Sequence, residues 1–201
     1  MRYVQSAGVN LPADIAAHLL IEVDGNHTEE LYRDAEAIAA IVQQYDIDEV
    51  LFADSHEQKQ MLWTLRRKVG EAVKSNSIYK EEDTVVPRAE LPKLLAGVKA
   101  IGAKYGFRSV CYGHAGDGNL HPTIVLDKDD GEALKRAENA LAEIFALPKK
   151  FKGTITGEHG IGSAKLPYLR DQIGEVGIQL QRDLKRVFDP NGILNPNRLG
   201  S

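Results

Sequence analysis

The fold is decided by the stretch Arg108-Ser-Val-Cys-Tyr-Gly-His-Ala-Gly-Asp-Gly-Asn-Leu-His-Pro-Thr-Ile-Val-Leu126. Its two ends, 108–112 and 121–126, are short runs of strand-forming residues, and a glycine-rich connection separates them. Two such runs bounded by turn residues are typical of paired antiparallel strands. The stretch therefore predicts a hairpin in which His114 ends one strand and His121 begins the next.

Amphipathic helices are predicted on both sides of this hairpin. Asp83-Thr-Val-Val-Pro87 precedes them as a short extended segment, and the helix after it stops at Gly106. The apolar residues recur at helical spacing. They are Leu91, Leu94, Leu95, Val98 and Ile101 before the hairpin, and Leu134, Ala137, Leu141, Ile144 and Phe145 in a helix over 130–147 after it.

The first part of the chain shows a similar alternation. The predicted elements are a strand over 18–23, a helix capped by Thr28, a strand over 49–53, and a helix over about 56–74 opened by a capping box of Ser55 and Gln58. Together with the later elements this order is βαβα followed by βαββα. Two split βαβ units predict an α+β fold, a ferredoxin-like antiparallel sheet with helices on one face. We expect residues 1–152 to form this domain.

The sequence changes character after Lys152. Gly153-Thr-Ile-Thr-Gly-Glu-His-Gly-Ile-Gly162 is loop-like, with four glycines, and a helix is predicted near 175–188. The tail, 188–197, is dense in turn residues and cannot form a long helix or strand. Residues 153–201 are therefore predicted to be a C-terminal docking segment of helix and loops rather than a separate core.

Composition excludes several classes of protein. The formal net charge is −4, so there is no basic footprint for nucleic acid. The longest apolar stretches are far too short to span a bilayer. The one cysteine, Cys111, cannot form an internal disulfide. A cytoplasmic protein without a transmembrane segment is the expectation.

His114 and His121 are candidate metal ligands. In a hairpin their Cβ atoms would lie about 5 Å apart across the ladder, which suits two nitrogens on one zinc-like ion. The alternative is a glycine-rich hairpin whose two histidines are incidental, because six residues between two histidines is not a standard zinc spacing. The spacing leaves both interpretations open.

Glu158 and His159 form a second candidate element. A carboxylate could complete a site of two histidines and one carboxylate while the adjacent histidine acts as a base. The alternative is a glycine-rich turn with a solvated Glu-His pair. A phosphate-binding loop is disfavoured, because the glycine spacing is wrong and no Lys-Ser/Thr pair follows.

Cations form a third candidate element. Trp63-Thr-Leu-Arg66-Arg67 and Lys80 could recognise a carboxylate, for which the planar fork of arginine is well suited. The alternative is a solvated cationic helix face.

Three motifs in register carry a family resemblance. Tyr112-Gly-His-Ala-Gly-Asp-Gly-Asn-Leu-His-Pro122, Gly153–Gly162 and Phe188-Asp-Pro-Asn-Gly-Ile-Leu-Asn-Pro196 resemble the C-terminal domain of the FAD-linked oxidases. That family includes glycolate oxidase flavoprotein subunits, D-lactate dehydrogenases and D-2-hydroxyglutarate dehydrogenases. Trp63-x-x-Arg66 and Thr84-Val-Val-Pro87 resemble earlier signatures, so the likeness extends from about residue 15 to the end.

The resemblance implies roles for the histidine motifs. His114 and His121 match the family's metal-ligand histidines and Glu158 its metal-ligand acid. His159 matches the residue proposed as general base. The implied ion is divalent, zinc-like or manganese-like.

The resemblance also implies substrate and flavin contacts. Arg66 and Lys80 match positions where some members contact the substrate carboxylate, and Asn195 lies in the segment that returns toward the flavin. Members hold most of the FAD in a long N-terminal domain, so the chain is expected to be a fragment that does not turn over alone. That FAD-binding domain is the implied partner, and an iron–sulfur or other electron-acceptor subunit is a further candidate.

The implied function is FAD-dependent oxidation of a 2-hydroxy acid to a 2-oxo acid. The D-2-hydroxyglutarate branch tends to have polar residues where this chain has Gly70 and Thr123. This difference favours a smaller acid such as D-lactate or glycolate. The alternative function is a stand-alone ferredoxin-like module that binds a metal or ligand without catalysis.

Overall fold

The chain forms two compact units, Met1–Ser75 and Asn76–Ser201. The computed structural model describes residues 15–48, 50–76, 78–126, 130–196 and 198, and only the backbone of 73–76 and 78–80. Within these ranges no helix is both long and apolar enough to cross a membrane.

The described part of the first unit contains α1 (Thr28–Val42) and all but the last residue of α2 (His56–Asn76). The predicted capping box is confirmed at the start of α2. The Gln58 N–H donates to Ser55 Oγ at 3.2 Å, and the Ser55 N–H donates to Gln58 Oε1 at 3.3 Å. Trp63 Nε1 donates to Glu22 Oε2 at 3.0 Å and so connects α2 to the segment before α1.

The two strands predicted for the first unit are wrong. Residues 18–23 and 50–53 form no strand, and Glu49 lies outside the described residues. A strand is stable only when its backbone N–H and C=O groups pair with a neighbouring strand. Neither segment has such a neighbour in the described part of this unit. The strand-forming residues of these segments therefore do not produce a ladder here, and side chains such as Leu19 and Leu51 remain exposed.

The second unit is built around one antiparallel sheet. Its elements are β1 (Ile78–Glu81), β2 (Thr84–Val85), a 3₁₀ turn (Arg88–Glu90), α3 (Leu91–Tyr105), β3 (Arg108–His114), a second 3₁₀ turn (Ala115–Asp117), β4 (Asn119–Leu126), α4 (Ala133–Lys150) and α5 (Leu166–Phe188). Strand β4 is central. It pairs with β3 along one edge and with β1 and β2 along the other. The α+β class, the antiparallel sheet and the predicted hairpin are confirmed.

Strand β1 was not predicted, and it continues the line of β2. The pairs Glu81↔Thr123 and Thr84↔Leu120 share one register, so Asp83 lies opposite His121. On the other edge of β4, Tyr112 is the partner of His121. Because side chains alternate along strands, these three residues share one face of the sheet.

The opposite face of the sheet carries the hydrophobic core. Leu120, Ile124 and Leu126 of β4 pack there with the buried stripes of α3 and α4. Cys111 packs against this core too, on the face away from His121. Of the residues predicted to be buried in α4, Leu134 is 51% exposed, while its neighbour Ala133 takes the buried position.

The C-terminal segment belongs to the same unit as the sheet. Helix α5 begins at Leu166, earlier than predicted, because Pro167 starts a first helical portion and Gly174 interrupts it (φ 69°, ψ 175°). In the tail, the Asp189 carboxylate accepts from the N–H groups of Ile193 and Leu194 at 2.9 and 3.0 Å. This turn confirms that the described tail forms no long helix or strand.

Gly118 is predicted to be essential to the hairpin. Its φ is +71°, and a Cβ there would lie 2.0 Å from the carbonyl oxygen of Val86, a backbone atom that cannot move away. We expect Gly118→Ala to lower the free energy of unfolding by about 2–4 kcal/mol, from combined left-handed strain and overpacking. Gly116→Ala is the matched control, because a Cβ at Gly116 would meet nothing within 4 Å. Urea denaturation followed by circular dichroism measures both, and equal midpoints would contradict this account.

Candidate active site

Three imidazoles and one carboxylate meet at the end of the hairpin. His114 ends β3, His121 lies in β4, and Glu158 and His159 belong to the loop between α4 and α5. Glu158 Oε1 lies 3.0 Å from His121 Nε2 and 3.9 Å from His114 Nε2. The structure therefore brings together the four residues that the two histidine motifs predicted.

His159 completes the cluster from the other side of His121. Its Nε2 lies 3.8 Å from Glu158 Oε1, and its ring stacks on that of His121 with centroids 4.9 Å apart. The ring of His114 meets His121 edge-on instead, at 86°. One carboxylate oxygen thus faces the Nε2 atoms of three histidines.

The cluster has one buried wall and one open side. His121 is only 4% exposed, whereas His114, Glu158 and His159 are 48%, 52% and 45% exposed. A small molecule could therefore reach the open side while His121 stays fixed in the sheet.

The buried position of His121 favours its neutral form. Burial lowers the pKa of His121, and His159 also lowers it, while the carboxylates of Asp83, Glu158 and Glu81 act against this shift. A neutral imidazole is the form that ligates metals. His121 Nδ1 is buried and has no hydrogen-bond partner in the described chain, with Asp83 Oδ1 at 3.8 Å.

The donor set fits a divalent metal ion. One ligand atom from each of His114, His121 and Glu158 lies within 4.8 Å of the others. Bonds of about 2.0–2.2 Å place two ligand atoms of one ion at most about 4 Å apart. Small movements of these side chains would therefore bring all three ligand atoms within bonding distance of one ion. Glu81, His121 and His159 form a second group with the same property. Among the described residues, the geometry therefore offers two donor sets that share His121.

Sequence reasoning missed the acidic residues under the cluster. Glu81 accepts a hydrogen bond from the Tyr112 hydroxyl through Oε2. Asp83 is fully buried, and its Oδ1 accepts from Asn119 Nδ2 at 2.7 Å. The available signal was the run of three acidic residues Glu81-Glu82-Asp83, directly before the Thr84–Pro87 signature. Without β1 in the prediction, these three residues could not be assigned to a face of the sheet.

The second Asp83 oxygen binds the loop that carries Glu158 and His159. Oδ2 accepts from the Thr156 hydroxyl at 2.9 Å and from the N–H groups of Gly157, Glu158 and His159 at 2.7, 2.9 and 2.9 Å. Burial acts to raise the pKa of Asp83, but these hydrogen bonds outweigh it and hold the pKa far below its usual range. The side chain is therefore a carboxylate at all ordinary pH values.

The other predicted site residues lie in other parts of the fold. Arg66 is a half-buried residue of α2, in the first unit. Lys80 pairs through its backbone with Ile124, and its side chain is outside the described part. Asn195 has φ 45° and lines a surface cavity with Phe188 and Leu194 at the end of α5.

Comparison with known proteins identifies the family of the chain. The sequence profile of the family "FAD linked oxidases, C-terminal domain" matches residues 2–199. The chain belongs to this family. The resemblance carried by the three motifs is thereby confirmed.

Curated members of the FAD-linked oxidase family are similar over nearly the whole chain. Glycolate oxidase subunit GlcD of Bacillus subtilis is 41% identical over 196 residues, covering 96% of this chain and 41% of that protein. D-lactate dehydrogenase of Anaerostipes hadrus is 37% identical, covering 92% and 40%. D-2-hydroxyglutarate dehydrogenase of Stutzerimonas stutzeri is 32% identical, covering 92% and 41%. The chain thus spans about two fifths of the length of these relatives.

A solved structure shares the fold of this oxidase domain. 4-Ethylphenol oxidase from Gulosibacter chungangensis, in complex with isoeugenol, matches with a TM-score of 0.57 and 15% identity. The match covers 86% of this chain and 36% of that one. At this identity the likeness concerns the fold alone.

Proposed function

We propose that the domain is the substrate- and metal-binding part of an FAD-dependent enzyme that oxidises a 2-hydroxy acid to a 2-oxo acid. The observation that carries this proposal is the cluster of three histidine Nε2 atoms within 3.9 Å of Glu158 Oε1. The named substrates of the similar proteins, glycolate, D-lactate and D-2-hydroxyglutarate, are all 2-hydroxy acids. Their shared group, a hydroxyl beside a carboxylate, is a natural bidentate ligand for a metal ion.

His114, His121 and Glu158 would hold the divalent ion, zinc-like or manganese-like. Two neutral imidazoles and one carboxylate leave coordination positions open, as a catalytic site requires. The chemistry that such an ion supplies when bound is a lower pKa of the substrate hydroxyl and a fixed orientation of the substrate.

His159 would accept the proton of the substrate hydroxyl at Nε2. Its ring is half-exposed, on the open side of the cluster, and it stacks on the buried ring of His121. Its backbone N–H is tied to Asp83 at 2.9 Å, so the main chain that carries the base is anchored to the sheet. FAD, held mostly by the adjoining N-terminal domain, supplies the acceptor for the hydride of C2 when bound.

Arg66 and Lys80 would bind the substrate carboxylate. The guanidinium of arginine donates two parallel hydrogen bonds to a carboxylate, and an ammonium adds a point charge. Because Gly70 has no side chain where the D-2-hydroxyglutarate branch tends to have a polar residue, we propose a substrate with one carboxylate, D-lactate or glycolate.

Residues 153–201 would dock on the FAD-binding domain and bring Asn195 toward the flavin. Support comes from an exposed apolar face on α5, made by Val176, Leu180, Leu184 and Val187 at helical spacing. We also propose a cytoplasmic location and, as a further partner, an iron–sulfur or other electron-acceptor subunit.

The ferredoxin-like arrangement would apply to the second unit. The order strand, α3, β3, β4, α4 is that of a split βαβ unit. The fourth strand of a ferredoxin-like sheet would here be represented by a single antiparallel bridge between Thr154 and Val85.

A substrate screen on the full-length protein tests this function. Reduction of an artificial electron acceptor would be measured with glycolate, both lactate enantiomers and D-2-hydroxyglutarate. We expect glycolate or D-lactate to be oxidised fastest, with a chelator abolishing the rate. Turnover of none of these acids by the flavin-loaded protein would refute the proposal.

A further inference from the structure

We propose that Asp83 is the positioning residue of this site, which holds the Glu158–His159 backbone in place against His121. This inference rests on the proposed function, because its test by zinc affinity requires the metal site proposed above. Asp83 touches neither the open side of the cluster nor any position a substrate could reach, because its side chain is fully buried. Its effect would therefore be exerted through the residues it anchors.

One oxygen of Asp83 accepts four hydrogen bonds from the segment 156–159. Asp83 Oδ2 accepts three consecutive backbone N–H groups, from Gly157 to His159, and one hydroxyl, from Thr156. Successive N–H groups that converge in this way form an anion-binding concavity. Here the bound anion is a side chain of the same protein, 74 to 76 residues earlier in the chain.

Within the described structure, the loop 153–162 is held at its start by the bridge between Thr154 and Val85, but its N–H groups at residues 157–159 bond only to Asp83. Gly153, Gly157, Gly160 and Gly162 give it a large conformational entropy when free. Glu158 and His159 are both about half exposed, so burial alone does not fix their side chains. The shared carboxylate orders the backbone of both residues at once.

Asp83 is itself held in place by hydrogen bonds to both its side chain and its backbone. Its Oδ1 accepts from Asn119 at 2.7 Å, and the buried ammonium of Lys165 donates to the Asp83 carbonyl oxygen at 3.3 Å. A buried charge persists only when it is paired and hydrogen-bonded in this way. Since Asp83 lies directly opposite His121 in the sheet, the loop is fixed relative to that histidine.

Asp83→Asn tests the proposal in the 201-residue chain, with Zn²⁺ as the titrated metal. We expect calorimetry to show zinc affinity about 10- to 100-fold weaker, the range found when a residue that orients metal ligands is replaced. Amide hydrogen exchange by NMR should become faster at Gly157, Glu158 and His159. Ile144→Val, in the core on the other face of the sheet, is the control for a general loss of stability. It should leave both readouts unchanged.

The outcomes separate this proposal from the proposed function. Folded Asp83→Asn protein with wild-type zinc affinity would overturn the positioning role. If the variant does not fold, Thr156→Val removes one of the four donors, and several-fold weaker zinc binding supports the proposal while unchanged binding overturns it. If the wild-type chain binds no zinc, the metal function fails. Amide hydrogen exchange at residues 157–159 of Asp83→Asn then tests the anchoring role by itself. Faster exchange supports that role, and unchanged exchange overturns it.

Discussion

His159→Ala in the full-length protein is expected to lower turnover of the 2-hydroxy acid by about 10²–10⁴-fold, the effect of losing a general base. The metal should remain bound, because His114, His121 and Glu158 are untouched. The reason is the geometry of the cluster: His114, His121 and Glu158 form a donor group without His159, whose Nε2 lies 3.8 Å from the Glu158 oxygen. The measurement is kcat at saturating substrate together with metal content.

A matched control for His159→Ala exists in the first unit. His27 is exposed, and its side chain makes no capping hydrogen bond at the start of α1. His27→Ala should leave both kcat and metal content at the wild-type level. Wild-type turnover of His159→Ala would contradict the role of base. Loss of metal from this variant would assign His159 to the metal itself, as in the group with Glu81.

His121→Ala is expected to remove the metal and the activity together. His121 is the buried member of the cluster and belongs to both possible donor sets, so no complete set survives its loss. A site left with His114 and Glu158, both about half exposed, lacks the rigid ligand that the sheet provides. After dialysis we expect metal content near zero and turnover below detection.

Cys111→Ala is the control for the His121 variant. A thiolate is a strong zinc ligand, but Cys111 faces the hydrophobic core on the opposite side of the sheet. Burial also raises the pKa of the Cys111 thiol, which disfavours the thiolate. This variant should keep its metal. If His121→Ala instead retains metal and turnover, the two hairpin histidines are incidental and the glycine-rich connection has only a structural role.

The sequence predicted those parts of the fold whose signals are local. The Ser55–Gln58 capping box, the stripe of α3 and the hairpin around Gly118 depend on residues close together in the chain. The four residues of the cluster were found because two short motifs contain them. Leu134 shows the limit of such patterns, since its helical spacing fits the stripe but the described helix exposes it.

Features that depend on distant partners could not be predicted. The segments 18–23 and 50–53 are rich in strand-forming apolar residues, but a strand needs a pairing neighbour that the described first unit lacks. Asp83 shows the same limit in the site. Its contacts with residues 156–159 join parts of the chain more than 70 residues apart, and no spacing rule connects them. The position of Asp83 opposite His121 follows only from the register of β1 and β2 on β4.

The most direct test of the account is the position of the metal, measured by anomalous X-ray scattering from crystals of the protein grown with Zn²⁺. The account predicts one strong peak at the zinc edge, about 2.0–2.2 Å from Nε2 of His114, Nε2 of His121 and a carboxylate oxygen of Glu158. His159 should lie beside the ion without a bond to it. A peak bonded to Glu81, His121 and His159 instead, or no peak at the cluster in zinc-saturated crystals, would contradict it.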